Sequence, residues 1–211
     1  MRELLAAGRR PVRDVWLSDT VDEGDVIGEI LDLAEDAGVP VRRVSRARID
    51  AEARSDAAQG VLAHARELTE ADLDALCRTA ADGTRPFLLV VDGVTDPHNL
   101  GALLRSAELA GAIEYLPIAV VAGIPSALVT LRAKAVWTVG LDPEGDRSVY
   151  DLDLGSEAVA LVVGAEGAGL SHLARARCDV GVSIPQRGHL GSLNVSAAGA
   201  VALFEIARRR G

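Results

Sequence analysis

Five polar side chains in this chain stand where glycine-punctuated turns can present them to a ligand: Asn99 and Arg105, Glu166, and Ser192 and Asn194. They fall in three separated segments, Asp96-Pro97-His98-Asn99-Leu100-Gly101-Ala102-Leu103-Leu104-Arg105, Gly164-Ala165-Glu166-Gly167-Ala168-Gly169-Leu170 and Ser192-Leu193-Asn194-Val195-Ser196-Ala197-Ala198. In the first, Asp96 or Asn99 can cap a following helix, and Pro97 suits the turn before it. Arg105 lies one helical turn beyond Gly101 and off the apolar stripe of Leu100, Leu103, Leu104 and Ala107, so a phosphate or other ligand can approach over the glycine. In the second, three glycines permit positive φ and close backbone approach, while Glu166 brings a carboxylate to the same turn. That carboxylate repels phosphate, and the Gly-x-x-Gly-x-Gly spacing is not a dinucleotide fingerprint. A cationic or hydroxyl-bearing ligand fits better, and so does a helix-capping role. In the third, Ser192 and Asn194 stand at the mouth of a helix whose Ala197, Ala198, Gly199, Ala200 and Ala202 can pack closely on another backbone. Taken singly, each segment also reads as a capped turn.

The elements around these segments give them a common address. Each follows a short aliphatic run that reads as a buried strand and opens a helix, so all three sit at carboxyl ends of strands, where open α/β sheets bind ligands. Residues 87–91, 118–121, 135–139, 159–163 and 180–184 are such runs, typical of strands buried on both faces. Helical patterns over 100–110, 126–134, 171–177 and 195–210 lie between them, and this alternation predicts an α/β fold with a mostly parallel sheet. Before it, residues 12–66 read as a smaller α/β unit: strands at 12–17, 40–44 and 60–65, and helices at 25–37, closed by Gly38, and 45–54. A capped helix is expected from Thr69 to about Ala80. Small, polar, Gly and Pro residues at 81–86 make the best linker, which sets domains at 1–80 and 87–211.

Composition limits the functions. Half of the 211 residues are apolar and a quarter charged, enough for a real core, and with so few aromatics it must be packed by Val, Leu, Ile and Ala. The apolar runs are too short to span a membrane, and Met1–Arg10 has no secretory pattern, so the cytoplasm is expected. Cys77 and Cys178 are far apart and lack Cys-x-x-Cys pairing, and His64, His98, His172 and His189 do not cluster, so neither a disulfide nor a metal is expected. The formal charge of -9 argues against sequence-independent affinity for phosphate. Two patches are nonetheless basic, Arg9, Arg10 and Arg13, then Arg42, Arg43, Arg46 and Arg48; charge alone reads them as solvated surface.

Together, Asn99-Leu100-Gly101 with Arg105, Gly164-x-Glu166-Gly167-x-Gly169-Leu170 and Ser192-Leu193-Asn194-Val195-Ser196 resemble the three ordered motifs of the SpoU family. These are S-adenosylmethionine-dependent RNA ribose 2′-O-methyltransferases of the SPOUT class. The resemblance covers about residues 84–210, and the wording of Asp92–Gly101 is most similar to the branch acting on a guanosine of large-subunit (23S) ribosomal RNA. Residues 12–65 resemble the small ribosomal-protein-like RNA-binding domain that often precedes the catalytic one. The resemblance implies a C-terminal trefoil knot, although knots are almost absent from proteins generally. It implies S-adenosylmethionine, with no metal, held at Leu161, Val163, Gly164, Glu166, Gly167, Ile184, Gln186, Ser192, Leu193 and Val195. It implies catalytic positions at Arg105, Asn99, Ser192, Asn194 and Glu166, RNA contacts at Arg9, Arg10, Arg13, Arg42 and Arg43, and a homodimer. Arg105 matches the family's catalytic arginine; a guanidinium pKa above about 12 makes electrostatic positioning a better role for it than that of a base.

The chain departs from the family at one place. Members usually have another strand and its connection between the first motif's helix and a segment like 111–117, and here the helix runs almost directly into that segment. A parallel pair needs a crossover of a dozen or more residues. The join at Ala110–Ile113 is therefore too short: either residues are missing there or an element has been lost. Three other readings are a transfer-RNA methyltransferase, an inactive RNA-binding or ribosome-assembly protein, and a plain nucleotide-binding α/β protein.

Overall fold

A computed structural model describes residues 1–8, 10–22, 24–53, 59–67, 69–110, 117–188 and 193–210. The chain divides into two compact units, Met1–Thr69 and Glu70–Gly211.

In the first unit the elements run α1 (Arg2–Ala7), β1 (Val12–Ser18), α2 (Asp25–Asp36), β2 (Val41–Val44), α3 (Arg46–Glu52) and β3 (Val61–Ala65). The sheet order is β2-β1-β3, with β2 parallel and β3 antiparallel to β1. Strand alternation sends Val15 and Leu17 into a core with Leu5 of α1 and Ile27, Ile30 and Ala34 of α2. Helix α2 ends because Gly38 takes the left-handed conformation at φ 65°, its N–H donating to the Glu35 carbonyl and that of Val39 to the Ala34 carbonyl.

The second unit adds α4 (Leu73–Leu76), β4 (Phe87–Val91), α5 (Pro97–Leu109), α6 (Ile124–Ala133), β5 (Trp137–Leu141), β6 (Arg147–Ser148), β7 (Val159–Val163), α7 (His172–Arg177), β8 (Val180–Ser183) and α8 (Val195–Arg210). All pairs in its five-stranded sheet are parallel, in the order β4-β7-β5-β8-β6. Every residue of β7 is buried, as its unbroken Val-Ala-Leu-Val-Val run requires of a central strand. Its Leu161 and Val163 join a core with α5 and α8, and its Ala160 and Val162 join another with α6 and α7.

Where α8 crosses α5, a Cβ on Gly199 would lie 2.3 Å from Leu103 Cδ2, and Leu103 is fully buried. The small-residue helix is thus a packing device. Gly199→Val is expected to destabilise the protein by about 1–3 kcal/mol through overpacking. The effect should appear as a lower urea midpoint at constant slope; an unchanged midpoint contradicts the close contact.

Two expected elements differ. The helix expected over 69–80 is only Leu73–Leu76, capped by Asp72, whose carboxylate accepts from the Ala75 N–H at 3.2 Å. Residues 118–121 form no strand. The Ile118 carbonyl is taken instead by the Ala71 N–H, at 2.8 Å, just ahead of α4. Among the described residues β4 is therefore an edge of the sheet, and a cavity of about 590 Å³ lies beside it, lined among others by Leu88, Val90, Leu100, Leu104, Ile118 and Ile124. The short join at 110–113 itself lies largely outside the described residues.

Candidate active site

The three strand-end segments converge. β4 leads through Asp92–Asp96 to α5, whose first turn is capped by Asp96: its carboxylate accepts from the His98 N–H at 2.9 Å, with Pro97 in the first turn, where no N–H is missed. Because Asp96 does the capping, the Asn99 side chain is free to turn inward. It is buried, and its amide nitrogen donates to Glu166 at 2.9 Å. Asn194 closes the ring, its amide nitrogen donating to the Asn99 oxygen at 2.9 Å and to the other Glu166 oxygen at 3.0 Å. The Asn194 carbonyl oxygen meanwhile caps α8, accepting from the Ser196 N–H at 2.9 Å and from the Ser196 hydroxyl at 2.6 Å. Since a carboxylate only accepts, both amides must point their nitrogens at Glu166, which fixes their orientation.

Glu166 is delivered by a tight loop after β7. Ala165 and Gly169 exchange both backbone hydrogen bonds, at 3.0 and 2.8 Å, and Gly167 and Gly169 have φ of 78° and 66°. At Gly164 a Cβ would fall 2.1 Å from the Gly169 carbonyl carbon, so only glycine fits. The loop opens on a cavity lined by Val163, Gly164, Glu166, Gly167, Ile184, Gln186, Leu193 and Val195 of the expected cofactor positions. Leu161 is not on that wall; its side chain is buried in the sheet core. Ser192 lies outside the described residues, as does Arg9.

Sequence reasoning missed the wall formed by Leu141, Asp142 and Pro143, and Ala198 of α8. Asp142 is buried; one oxygen accepts from the Glu144 N–H at 2.9 Å and the other lies 2.6 Å from Arg175 Nη2. Gly145 closes this turn over β8, where a Cβ would lie 2.4 Å from the Val182 carbonyl carbon. The only available signal was Gly145 itself, too isolated to be read as a close approach.

Arg105 is exposed on α5, outside both the cavity lining and the Asn99–Glu166–Asn194 ring, and among the described residues it has no hydrogen-bond or ion-pair partner. Of the basic residues, Arg13 and Arg42 are exposed near Asp14, Arg10 donates to the Arg66 carbonyl, and Arg43 donates to the Ser18 carbonyl.

Largely apolar walls and two carboxylates suit a flat, cationic ligand. Phosphate does not fit: the N-termini of α5, α7 and α8 are each capped by Asp96, Ser171 or Asn194. Thiol chemistry does not fit either, because burial and then Asp179 push the Cys178 pKa up to about 11. Among the described residues no group of three His, Cys, Asp or Glu can hold a metal, and no helix is long and apolar enough to cross a membrane.

The ring can be tested alone. Glu166→Gln places an amide donor against an amide donor, which should cost about 1–3 kcal/mol. A melting point unchanged from wild type would contradict the ring.

Comparison with known proteins agrees with this picture. The SpoU rRNA Methylase family matches residues 109–204, and the family described as RNA 2′-O ribose methyltransferase substrate binding matches residues 1–80. The chain is 39% identical over 201 residues to the 23S rRNA (guanosine-2′-O-)-methyltransferase RlmB of Pasteurella multocida, covering 82% of this chain and 80% of that protein. It is 36% identical to RlmB of Shewanella oneidensis, covering 98% of this chain and 93% of the relative. That match extends over 234 positions, more than the 211 residues available here, so the relative has positions with no counterpart in this chain. Its fold is similar to the SpoU methyltransferase AviRb of Streptomyces viridochromogenes in complex with AdoMet, with a TM-score of 0.74 at 24% identity, covering 98% and 86% of the two chains.

Proposed function

The chain belongs to the SpoU rRNA methylase family, and from that premise we propose that it transfers a methyl group from S-adenosylmethionine to the 2′-hydroxyl of a guanosine in 23S ribosomal RNA. The observation that carries this reading is the closed Asn99–Glu166–Asn194 ring beside an apolar, carboxylate-bearing cavity at the carboxyl end of the sheet. Residues 1–80 would bind the RNA substrate and residues 87–211 would carry the catalytic site, in the cytoplasm.

The cavity fits the cofactor on its own terms. Leu141, Pro143, Val163, Ile184, Leu193 and Val195 offer apolar walls for a purine, and Asp142 and Glu166 offer negative charge to a sulfonium. When bound, S-adenosylmethionine supplies a methyl group already activated by the positive sulfur. The protein's task is then alignment and help in removing the ribose proton. Rigid placement of the reacting groups can contribute roughly 7–11 kcal/mol of barrier lowering. Arg105 holds an RNA phosphate next to the target ribose and stabilises negative charge on the 2′-oxygen as its proton leaves; it stays protonated throughout. Asn99, Glu166 and Asn194 hold the loop that bears the cofactor, and Ser192 orients the ribose.

Leu109, Val201 and Phe204, exposed on the packed pair α5 and α8, support a homodimer joined through these helices. The turn at Asp142–Gly145, lying across β8 between β5 and β6, is what supports a knotted C-terminal segment.

Calorimetric titration tests the reading: S-adenosylmethionine and its demethylated product should each bind one site per chain, and NAD and ATP should not. A second reading, an RNA-binding protein without turnover, is favoured by the open β4 edge and the cavity beside it. It predicts RNA binding with no cofactor heat.

A further inference from the structure

The outer face of the small sheet in the first unit carries a group of charges that the catalytic site does not use. Strand alternation puts Asp14 and Trp16 on this face, and the ladders put Arg42 opposite Trp16 on β2 and His64 opposite Asp14 on β3. The register shifts between Val12 and Asp14, and Arg13 is the extra residue. A bulge of this kind re-aims its side chain, and Arg13 Nε comes within 3.8 Å of Asp14. Arg42 Nε lies 3.9 Å from the same carboxylate oxygen. From α3, Arg48 stacks over the Trp16 ring at 4.8 Å.

Asp14 is the hub. It is buried, and its other oxygen meets His64 Nδ1 at 2.5 Å; His64 also packs edge-on against Trp16, and its Nε2 is 3.5 Å from Glu52. The two arginine contacts are too long for hydrogen bonds, so Asp14 steers both guanidinium groups without consuming their donors. Their side chains remain 73% and 65% exposed. Near this face the other acidic groups are already engaged, Asp50 by Arg46 and Glu52 by His64. In a chain with a net charge of -9, this is a local concentration of cations with unused donors. Arg43 and Arg10 do not belong to it, since both are committed to backbone carbonyls.

We propose that Arg13, Arg42 and Arg48 form the docking face for the RNA backbone, each of the first two gripping one phosphate through its outward nitrogens, with Asp14 and His64 as the support that sets their direction. Guanidinium forks match phosphate oxygens, and each such contact displaces counterions from the RNA. This rests on the proposal that RNA is the substrate, and it adds which face of the first unit engages it.

The test uses the full chain and an unmodified 23S rRNA transcript in filter binding over a range of salt concentrations. Arg13→Gln with Arg42→Gln should weaken binding about 10–100-fold at low salt and flatten the log–log salt slope by about 1.4–1.8. Arg13→Lys with Arg42→Lys should keep the salt slope, because the charge remains, but recover only part of the affinity, because the planar fork is lost. Arg78→Gln with Arg147→Gln, which removes equal charge from the second unit, should stay within about threefold of wild type. Cofactor affinity and melting point should not move in any of them. If the Gln pair at 13 and 42 loses no more than the pair at 78 and 147, the docking face is wrong and the proposed reaction stands. If the face behaves as expected but no ribose is methylated, the proposed reaction fails and the face survives.

Discussion

Replacing Arg105 by alanine is expected to lower the methyl-transfer rate by about 10²–10³-fold with cofactor and RNA both saturating, the loss typical of removing one preorganised charge from a developing oxyanion. Cofactor affinity and stability should hardly change. Arg105 is exposed and does not line the cavity, and among the described residues nothing depends on it. Surface substitutions of that kind usually fall within about 0.5 kcal/mol. Lysine at this position keeps the charge but loses the planar fork, so Arg105→Lys should recover only part of the rate. Single-turnover measurement separates these effects from RNA affinity. A near-normal rate in Arg105→Ala would remove Arg105 from the chemistry.

Gly164→Ala should act at the opposite end of the mechanism, on cofactor binding. The added Cβ would meet the backbone of Gly169 at 2.1–2.2 Å and the Leu170 nitrogen at 2.3 Å, and backbone cannot swing aside as a side-chain tip can. The Ala165–Gly169 bridge must open, carrying Glu166 away from Asn99 and Asn194. Strain of about 1–3 kcal/mol corresponds to a loss of cofactor affinity of about 5–150-fold. Gly28→Ala is the matched control, because a Cβ on Gly28 meets nothing within 4 Å. Equal calorimetric affinities for the two variants would contradict the loop geometry.

The sequence made part of this legible for identifiable reasons. Residues 87–91 and 159–163 are continuous aliphatic runs bounded by Pro86 and by Gly164, and they pair residue for residue, Phe87 with Val159 through Val91 with Val163. The glycines of the loop after β7 announced its close approaches. By contrast, the wall formed by Leu141, Asp142 and Pro143 carries no local signature, because it exists only where β5 ends beside β8. Residues 118–121 have the composition of a strand but join no ladder among the described residues, and the Ile118 carbonyl meets the Ala71 N–H instead, a contact composition cannot announce. Among the basic residues, composition grouped Arg42 with Arg43, and pleating separates them; the bulge at Arg13, which joins it to Arg42, cannot be read before the register is known.

The proposed reaction stands or falls on where a methyl group goes. Unmodified 23S rRNA incubated with the protein and methyl-labelled S-adenosylmethionine, then digested to nucleosides, should yield label in 2′-O-methylguanosine from a single position, and Arg105→Ala should abolish most of it. Label in a base, or no label from protein that binds both cofactor and RNA, would contradict it.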